Sequence, residues 1–348
     1  KEEGWGIGVV SSVSIDHATP GAFYAHVPSR SDYYTIGKQL ASSNYAFVGG
    51  ASFLKPFNVN QSNDDDLFTL CKKSGYTFVR GDEEFNKQYK TLDKIILIPA
   101  NEALDDKLSS SGMLTYAIDK QKGHMTLPQM VESGIKQLKK HENFFFMCEG
   151  GVIDWACHSN DAATTIHEII EFDEAIQIAY KFYLQHADET LIVVTADHET
   201  GGMALGNGHG LSLELLQNQK MSSGVLNDKI KNLFAQNHHP TWEMVKQILT
   251  ESLGFYVAVE ISEREDAYLQ SIYKKMLLGE DNDVKTLYNN ISELSNSAVQ
   301  LLNQKSGIGW TTSGHTASPV PLFAIGKGAE SFAGWHDNSQ VFSLILKA

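Results

Sequence analysis

Two stretches of the sequence place a carboxylate near an imidazole at a spacing that suits a metal ion. Asp197 and His198 are adjacent in ADHET, residues 196–200. Asp154 and His158 are four residues apart in EGGVIDWACH, residues 149–158, and such a pair shares one face of a helical turn. Either pair could also be an ordinary hydrogen-bonded pair, so its meaning depends on which other residues converge on it.

Two more candidate ligands lie next to apolar runs. Glu149 directly follows the run at 143–148, and His315 lies in TSGHTAS, residues 312–318, just before a run at 319–326. Oxygen and imidazole donors together suit zinc, whereas oxygen donors alone suit magnesium. The candidates therefore predict a metal site, provided that the fold brings their strand ends together.

An early segment, SIDHATPGAFYAHVPSR at residues 14–30, contains His17, Thr19 and Arg30. A threonine followed by Pro20 predicts the start of a helix, with Thr19 as its N-cap. Arg30 gains a special role only beside an oxyanion, because its planar guanidinium binds phosphate oxygens in a bidentate manner.

The elements that must position these residues alternate in type. Apolar runs at 94–100, 143–148, 190–196 and 319–326 predict buried strands of a mostly parallel sheet. Residues 126–140, with Thr126 as N-cap, and residues 160–187 have helical periodicity. This alternation predicts an α/β fold, in which ligands collect at the carboxyl ends of the strands.

Residues from about 211 to 305 differ from the rest of the chain, because four segments with helical periodicity follow one another and strand patterns are scarce. The helical segments are 222–236, 241–254, 264–279 and 284–304. We predict a mainly helical insertion at 203–305 in an α/β domain formed by 1–202 and 306–348.

Composition excludes several classes of protein. A formal net charge of −14 over 348 residues argues against a nucleic-acid partner. No stretch approaches the roughly 18 apolar residues of a membrane span, and the first residues lack the apolar core of a signal peptide.

The three cysteines, Cys71, Cys148 and Cys157, allow at most one disulfide. Phosphate-loop, nucleophile-elbow and H-E-x-x-H motifs are missing from the sequence.

Four blocks of the sequence, in order, resemble the signature blocks of bacterial alkaline phosphatases: HATPGAFYAHVPSR, EGGVIDWACH, TADHETGG and SGHTASPVPLFAIG. The resemblance implies a mostly parallel central sheet sandwiched by helices, two zinc ions and one magnesium ion. It assigns the first zinc to Asp154, His158 and His315, the second zinc to Asp197 and His198, and magnesium to Thr19 and Glu149.

The same resemblance gives Arg30 the role of clamping the substrate phosphate. His17 and Trp155 would lie behind the ligands and tune the magnesium site and the phosphate contacts. The implied reaction is hydrolysis of small phosphate monoesters to inorganic phosphate through a phospho-enzyme. The family also implies a homodimer that is periplasmic or secreted.

The family's nucleophilic serine and its bridging aspartate precede the blocks found here, and neither has a counterpart in the sequence. Ser11, Ser12, Ser159 and Thr195 lie near the matched blocks without the family's setting for a nucleophile. We therefore expect the chain to be the carboxyl-terminal portion of an alkaline phosphatase and to be inactive alone. The alternatives are a phosphodiesterase or sulfatase of the same superfamily, and a non-catalytic protein that binds metal or phosphate.

Overall fold

The computed structural model describes residues 4–58, 64–100, 112–207, 210–237, 239–280 and 282–348. Its strands are β1 (Gly6–Ser11), β2 (Phe47–Gly49), β3 (Thr77–Arg80), β4 (Ile95–Ile98), β5 (Phe144–Glu149), β6 (Leu191–Thr195), β7 (Glu199–Thr200), β8 (Ala204–Leu205), β9 (Asp283–Lys285), β10 (Asn290–Ser292), β11 (Ile308–Gly309), β12 (His315–Thr316) and β13 (Leu322–Gly326). Its α-helices are α1 (Ala18–Ala22), α2 (Tyr33–Ser43), α3 (Leu67–Lys73), α4 (Gly81–Gln88), α5 (Leu127–Leu138), α6 (Gly151–His158), α7 (Ala162–Tyr183), α8 (Ser223–Gln236), α9 (Trp242–Leu253), α10 (Glu263–Leu277), α11 (Glu293–Lys305) and α12 (Asn338–Lys347).

The described chain divides into two units, the first comprising residues 1–115, 120–152 and 169–192 and the second comprising 116–119, 153–168 and 193–348. The predicted division into an α/β domain and an insertion at 203–305 has different boundaries, and it stays a prediction.

The first unit is built on a five-stranded sheet in the order β3-β4-β2-β1-β5. Every pairing in it is parallel. Successive residues of a strand point to opposite faces, so the two faces of this sheet belong to different cores. Ile96 and Ile98 pack with Leu40 and Cys71 on one face. Ile95 and Leu97 face the other way, toward a core that includes residues of α4, α5 and α7.

This arrangement confirms the predicted fold class, a parallel central sheet covered by helices on both faces. The apolar runs at 94–100 and 143–148 form β4 and β5. The runs at 190–196 and 319–326 form β6 and β13, which pair with each other in a separate two-stranded sheet. The prediction that these two runs are buried strands of the main sheet was therefore wrong, and Phe323 of β13 is 64% exposed.

In the second unit, α8, α9, α10 and α11 enclose a core of their own, to which Leu226, Leu249, Leu269 and Leu302 contribute. Short antiparallel ladders join β7 to β12, β8 to β11 and β9 to β10. The β7–β12 ladder pairs His315 with Thr200 and Thr316 with Glu199. Two segments far apart in the sequence, ADHET and TSGHTAS, are thereby held side by side.

Five of the predicted helices are confirmed, since segments 222–236, 241–254 and 264–279 correspond to α8, α9 and α10. Residues 126–140 contain α5, in which Thr126 is the N-cap and forms a capping box with Gln129. Residues 160–187 contain α7. In the described part of the chain, no helix is both long and apolar enough to cross a membrane.

The prediction that Thr19 is an N-cap was wrong. Helix α1 begins at Ala18 with His17 as its N-cap, so Thr19 and Pro20 both lie in the first turn. Backbone N–H groups of the first turn have no acceptor within the helix, so proline is tolerated at its third residue as well as its first.

The prediction of a helix over 284–304 was wrong for residues 284–292. Residues 283–292 form the β9–β10 hairpin, and only Glu293–Lys305 is helical. Val284, Leu287 and Ile291 have helical spacing, which explains the error. The turn is closed by bonds between Thr286 and Asn289, because side-chain hydroxyls compete with a helix for backbone groups.

Candidate metal centre

Helix α6 presents the two residues of the predicted i, i+4 pair together. The distance between Asp154 Oδ1 and His158 Nε2 is 3.4 Å. The β7–β12 ladder then brings His315 to the same point, with its Nε2 3.2 Å from His158 Nε2 and 3.6 Å from Asp154 Oδ1. Asp154, His158 and His315 therefore converge on one small volume, and their assignment to a first zinc stays a prediction.

The size of this triangle fits a tetrahedral metal site. Ligand atoms about 2.0–2.1 Å from a zinc ion in tetrahedral geometry lie about 3.3 Å from one another. The three separations between these atoms, 3.2, 3.4 and 3.6 Å, are close to that value.

The tautomer of His158 also fits ligation. Its Nδ1 lies 2.5 Å from the backbone carbonyl oxygen of Ser313. A carbonyl oxygen only accepts, so Nδ1 must carry a proton. In a neutral imidazole Nε2 then has a free lone pair, and it is Nε2 that points at Asp154 and His315. A donor bond from the second ring nitrogen is the usual support for a metal-binding histidine.

His198 is oriented by a residue that the sequence reasoning missed. The Thr200 hydroxyl donates to Asp154 Oδ1 over 2.6 Å and lies 3.2 Å from His198 Nδ1. Because the hydroxyl proton goes to Asp154, the hydroxyl oxygen accepts from His198 Nδ1. This leaves the His198 Nε2 lone pair directed toward Asp197 Oδ2, 3.3 Å away.

The predicted first and second zinc groups adjoin each other. The rings of His198 and His315 are stacked with their centroids 3.6 Å apart. Asp154, His198 and His315 each offer a ligand atom within 4.8 Å of the others, so His198 can join the first group as well as Asp197. The division of these residues between two ions stays a prediction.

The electrostatics of the cluster favour a cation. Burial opposes ionisation of Asp154, but hydrogen bonds from His158 and Thr200 outweigh it and hold the carboxyl pKa below its ordinary value. Burial also opposes charge on His158, yet its bonds to Asp154 and the Ser313 carbonyl raise its pKa. Burial and the neighbouring His198 lower the pKa of His315. The cluster thus favours an ionised Asp154 beside a neutral His315, the forms that bind metal, whereas a proton on His158 Nε2 would compete with a metal ion for the same lone pair.

The candidates of the first unit lie in two places. Glu149 ends β5 opposite Ser11 of β1, and the Ser11 hydroxyl donates to its carboxylate. His17 is buried, and its Nε2 lies 3.5 Å from Nη2 of the exposed Arg30 guanidinium. Thr19 lies in the first turn of α1. Binding of magnesium by Thr19 and Glu149, and of phosphate by Arg30, stay predictions.

The hydroxyls considered as substitutes for a nucleophile are engaged in the fold. Ser12 accepts from the backbone N–H of Val152, and Ser159 donates to the carbonyl of Trp155. Thr195 donates to the carbonyl of Pro321. With Ser11 bonded to Glu149, each hydroxyl has a structural role.

Trp155, between the ligand candidates of α6, is 8% exposed and stacks on Tyr288, a second residue that the sequence reasoning missed. Thr200 could have been found, because it is two residues from His198 and so on the same side of an extended chain. Tyr288 could not have been found, since it reaches α6 only through the β9–β10 hairpin, which was predicted as a helix.

The three cysteines are unpaired, and burial raises the pKa of the Cys71 and Cys157 thiols to about 12.

Comparison with known proteins gives one consistent result. The family model for alkaline phosphatase matches residues 1–348. Alkaline phosphatase 3 of Bacillus subtilis is 29% identical over 361 residues, a match that covers 100% of this chain and 69% of that protein. Among solved structures, a cold-active alkaline phosphatase of Shewanella sp. matches with a TM-score of 0.76 and 25% identity, covering 99% of this chain and 76% of that one. Thermus thermophilus alkaline phosphatase matches with a TM-score of 0.77 and 25% identity, covering 100% and 71%.

Proposed function

Because the chain belongs to the alkaline phosphatase family, we propose that it forms most of a metal-dependent phosphate monoester hydrolase. The observation that carries the proposal is the convergence of Asp154 Oδ1, His158 Nε2 and His315 Nε2 within 3.6 Å of one another. Donors of this kind at these separations suit zinc.

The proposed cofactors are two zinc ions and one magnesium ion. The first zinc is assigned to Asp154, His158 and His315, the second to Asp197 and His198, and magnesium to Thr19 and Glu149. When bound, such ions act as Lewis acids that lower the pKa of a hydroxyl nucleophile and stabilise the leaving oxygen.

The chain's own side chains orient these donors. The Ser313 carbonyl fixes the His158 tautomer, and Thr200 holds the Asp154 carboxylate and the His198 ring in register. Arg30 would bind two oxygens of a terminal phosphate through its planar fork, with His17 beside it. Trp155 and His17 would tune these contacts from behind the ligands.

The proposed reaction passes through a phospho-enzyme whose nucleophile is not among these 348 residues. The hydrogen bonds of Ser11, Ser12, Ser159 and Thr195 within the fold support this, because each of these hydroxyls has a structural partner. The chain alone would then bind metal without turning over substrate. A homodimer in the periplasm or outside the cell is proposed from the family alone.

A second candidate is a non-catalytic protein that binds metal or phosphate, and the same engaged hydroxyls favour it. A phosphodiesterase or sulfatase of the superfamily is less well supported, because Arg30 belongs to the block HATPGAFYAHVPSR, whose resemblance implies an arginine that serves a terminal phosphate. Both alternatives make different predictions for the same assay.

The deciding assay is hydrolysis of a chromogenic phosphate monoester at alkaline pH, with a diester run in parallel. The 348-residue chain and the longest natural product of its gene are each tested with zinc and magnesium, after chelation and after metal is restored. We expect metal-dependent turnover of the monoester by the longer product only. Robust turnover by the 348-residue chain would refute a nucleophile outside it, whereas an inactive longer product would favour the binding protein.

A further inference from the structure

The β9–β10 hairpin lays Tyr288 against α6. The Tyr288 and Trp155 rings are stacked, with centroids 4.3 Å apart and planes 12° from parallel. The same tyrosine meets the His158 ring edge-on, at 5.4 Å and 68°. Trp155 and His158 are three residues apart in α6 and so lie on one face of the helix. Tyr288 thus contacts both Trp155, which follows Asp154 in the chain, and His158, which is a candidate ligand.

The tip of the hairpin is fixed to the same helix by a polar contact. The Asn289 side chain donates to the Ser159 hydroxyl over 2.9 Å, and that hydroxyl donates to the Trp155 carbonyl over 3.1 Å. Within the turn, the Thr286 hydroxyl accepts from the Asn289 N–H over 3.0 Å. Tyr288 is therefore carried on a turn whose backbone is held on both sides.

The base of the hairpin is joined to the helices of the predicted insertion. Asp283 forms an ion pair with Lys231 of α8 at 3.2 Å. The Ser292 N–H donates to Asn227 of the same helix over 2.8 Å, and Ser292 caps α11. The hairpin consequently connects the core of α8–α11 to the face of α6 that carries Trp155 and His158.

We propose that Tyr288 is a positioning residue for the candidate metal centre, acting through Trp155 and His158, and that this is one role of the 203–305 segment. The inference rests on the proposed zinc ligation by His158. The Ser313 carbonyl holds the His158 ring only through Nδ1, and within the range of that hydrogen bond the ring can still pivot by rotation about its Cβ–Cγ bond. The edge contact with Tyr288 restricts that pivot, so the lone pair of Nε2 stays directed at Asp154 and His315.

The test compares Tyr288→Leu with Tyr288→Phe in the 348-residue chain. The phenylalanine variant keeps the stack and the edge contact, whereas the leucine variant removes both. Leu287→Ala is the matched control, since Leu287 is the neighbouring turn residue and is 60% exposed. Zinc affinity is measured by competition with a chromophoric chelator. The His158 ring-proton shifts are measured by NMR in metal-free protein at one pH, and are assigned with His158→Asn.

We expect Tyr288→Leu to weaken zinc binding about tenfold, the lower end of the range for a residue that supports a ligand. Its metal-free spectrum should show moved His158 ring signals, because the ring current of Tyr288 is lost. Tyr288→Phe and Leu287→Ala should stay within about twofold of the parent chain, a spread expected of positions that keep the supporting contact.

Unchanged zinc affinity in a folded Tyr288→Leu protein would overturn the proposal, whatever the change in the His158 signals. If that variant does not fold, the decision passes to Asn289→Ala, which removes the bond to Ser159. Unchanged zinc affinity there would also overturn the proposal. Failure of the parent chain to bind zinc would instead contradict the proposed function. In that case the inference falls with the proposed function, whereas parent-like zinc affinity in a folded Tyr288→Leu protein overturns the inference alone.

Discussion

His158 and His315 are 157 positions apart in the sequence, yet their Nε2 atoms lie 3.2 Å from each other. The bond from His158 Nδ1 to the Ser313 carbonyl leaves the His158 Nε2 without a proton when the ring is neutral. An acceptor nitrogen therefore faces both a second imidazole and the Asp154 carboxylate. Such a group of acceptors is stable with a proton or a cation among its atoms, and burial of the His158 ring limits its access to water.

Replacing His158 with asparagine should remove most of the zinc affinity of the 348-residue chain. The variant loses one of the three converging donors, so we expect a loss of more than about 100-fold, beyond the range for residues that only support a ligand. Competition with a chromophoric chelator measures it. His186→Asn is the matched control, because His186 lies near the surface beside Glu189. Equal losses in both variants would contradict the assignment.

Thr200 offers a sharper test, because it touches no ion in the proposed site. Valine has the same shape but can neither donate to Asp154 nor accept from His198. We expect Thr200→Val to weaken zinc binding about tenfold and Thr200→Ser to restore it. Thr91→Val, which removes an exposed hydroxyl bonded to the Gln88 carbonyl, should have no effect. Parent-like affinity in Thr200→Val would show that the donors do not need this hydroxyl.

Elements with a strong periodic pattern were predictable from the sequence. The run that became β4 is apolar on both faces, as a strand buried between two helical layers must be, and the apolar run of β5 forms a partly buried strand at the edge of the same sheet. The start of helix α5 was predictable from Thr126, which forms its capping box. The pairing of His315 with Thr200 was not predictable, because two-residue strands carry no pattern and their ladder depends on the tertiary fold.

Residues that support the candidate ligands were harder to predict than the ligands themselves. Aspartate and histidine are recognisable by type, but Ser313 acts through its backbone carbonyl, which every residue has. The position of Tyr288 depends on the β9–β10 hairpin, but the spacing of Val284, Leu287 and Ile291 predicted a helix there. The spacing misled because the hydrogen bonds between Thr286 and Asn289 close a turn at this point.

Ser11 is expected to stabilise the fold through two hydrogen bonds. Its buried hydroxyl donates to the Glu149 carboxylate and accepts from the Val13 N–H over 3.1 Å. Ser11→Ala leaves that N–H without an acceptor, which should lower the free energy of unfolding by about 1–3 kcal/mol. Urea denaturation measures the change. Ser29→Ala, at an exposed turn, is the control and should stay within about 0.5 kcal/mol of the parent. An unchanged free energy of unfolding in Ser11→Ala would mean that the Ser11 hydroxyl contributes little to stability.

The stability of the chain should depend on pH through Asp16. This carboxylate is fully buried and accepts from the Leu54 N–H over 3.0 Å, and its burial raises its pKa from 3.8 to about 6. Between those two values the folded chain binds more protons at Asp16 than the unfolded chain does. The contribution of Asp16 to stability is therefore fully present below pH 3.8 and is lost as the pH rises through about 6.

Asparagine at position 16 has no such titration, so the comparison isolates the effect. We expect the parent chain to lose about 2 kcal/mol of unfolding free energy relative to Asp16→Asn between pH 4.5 and pH 7. Urea denaturation of both proteins at the two pH values gives this double difference, in which titration of every other group cancels. A double difference near zero would mean that the Asp16 pKa is close to its unfolded value. A change of opposite sign would mean that the hydrogen bonds from Leu54 and Lys55 stabilise the ionised carboxylate more than burial penalises it.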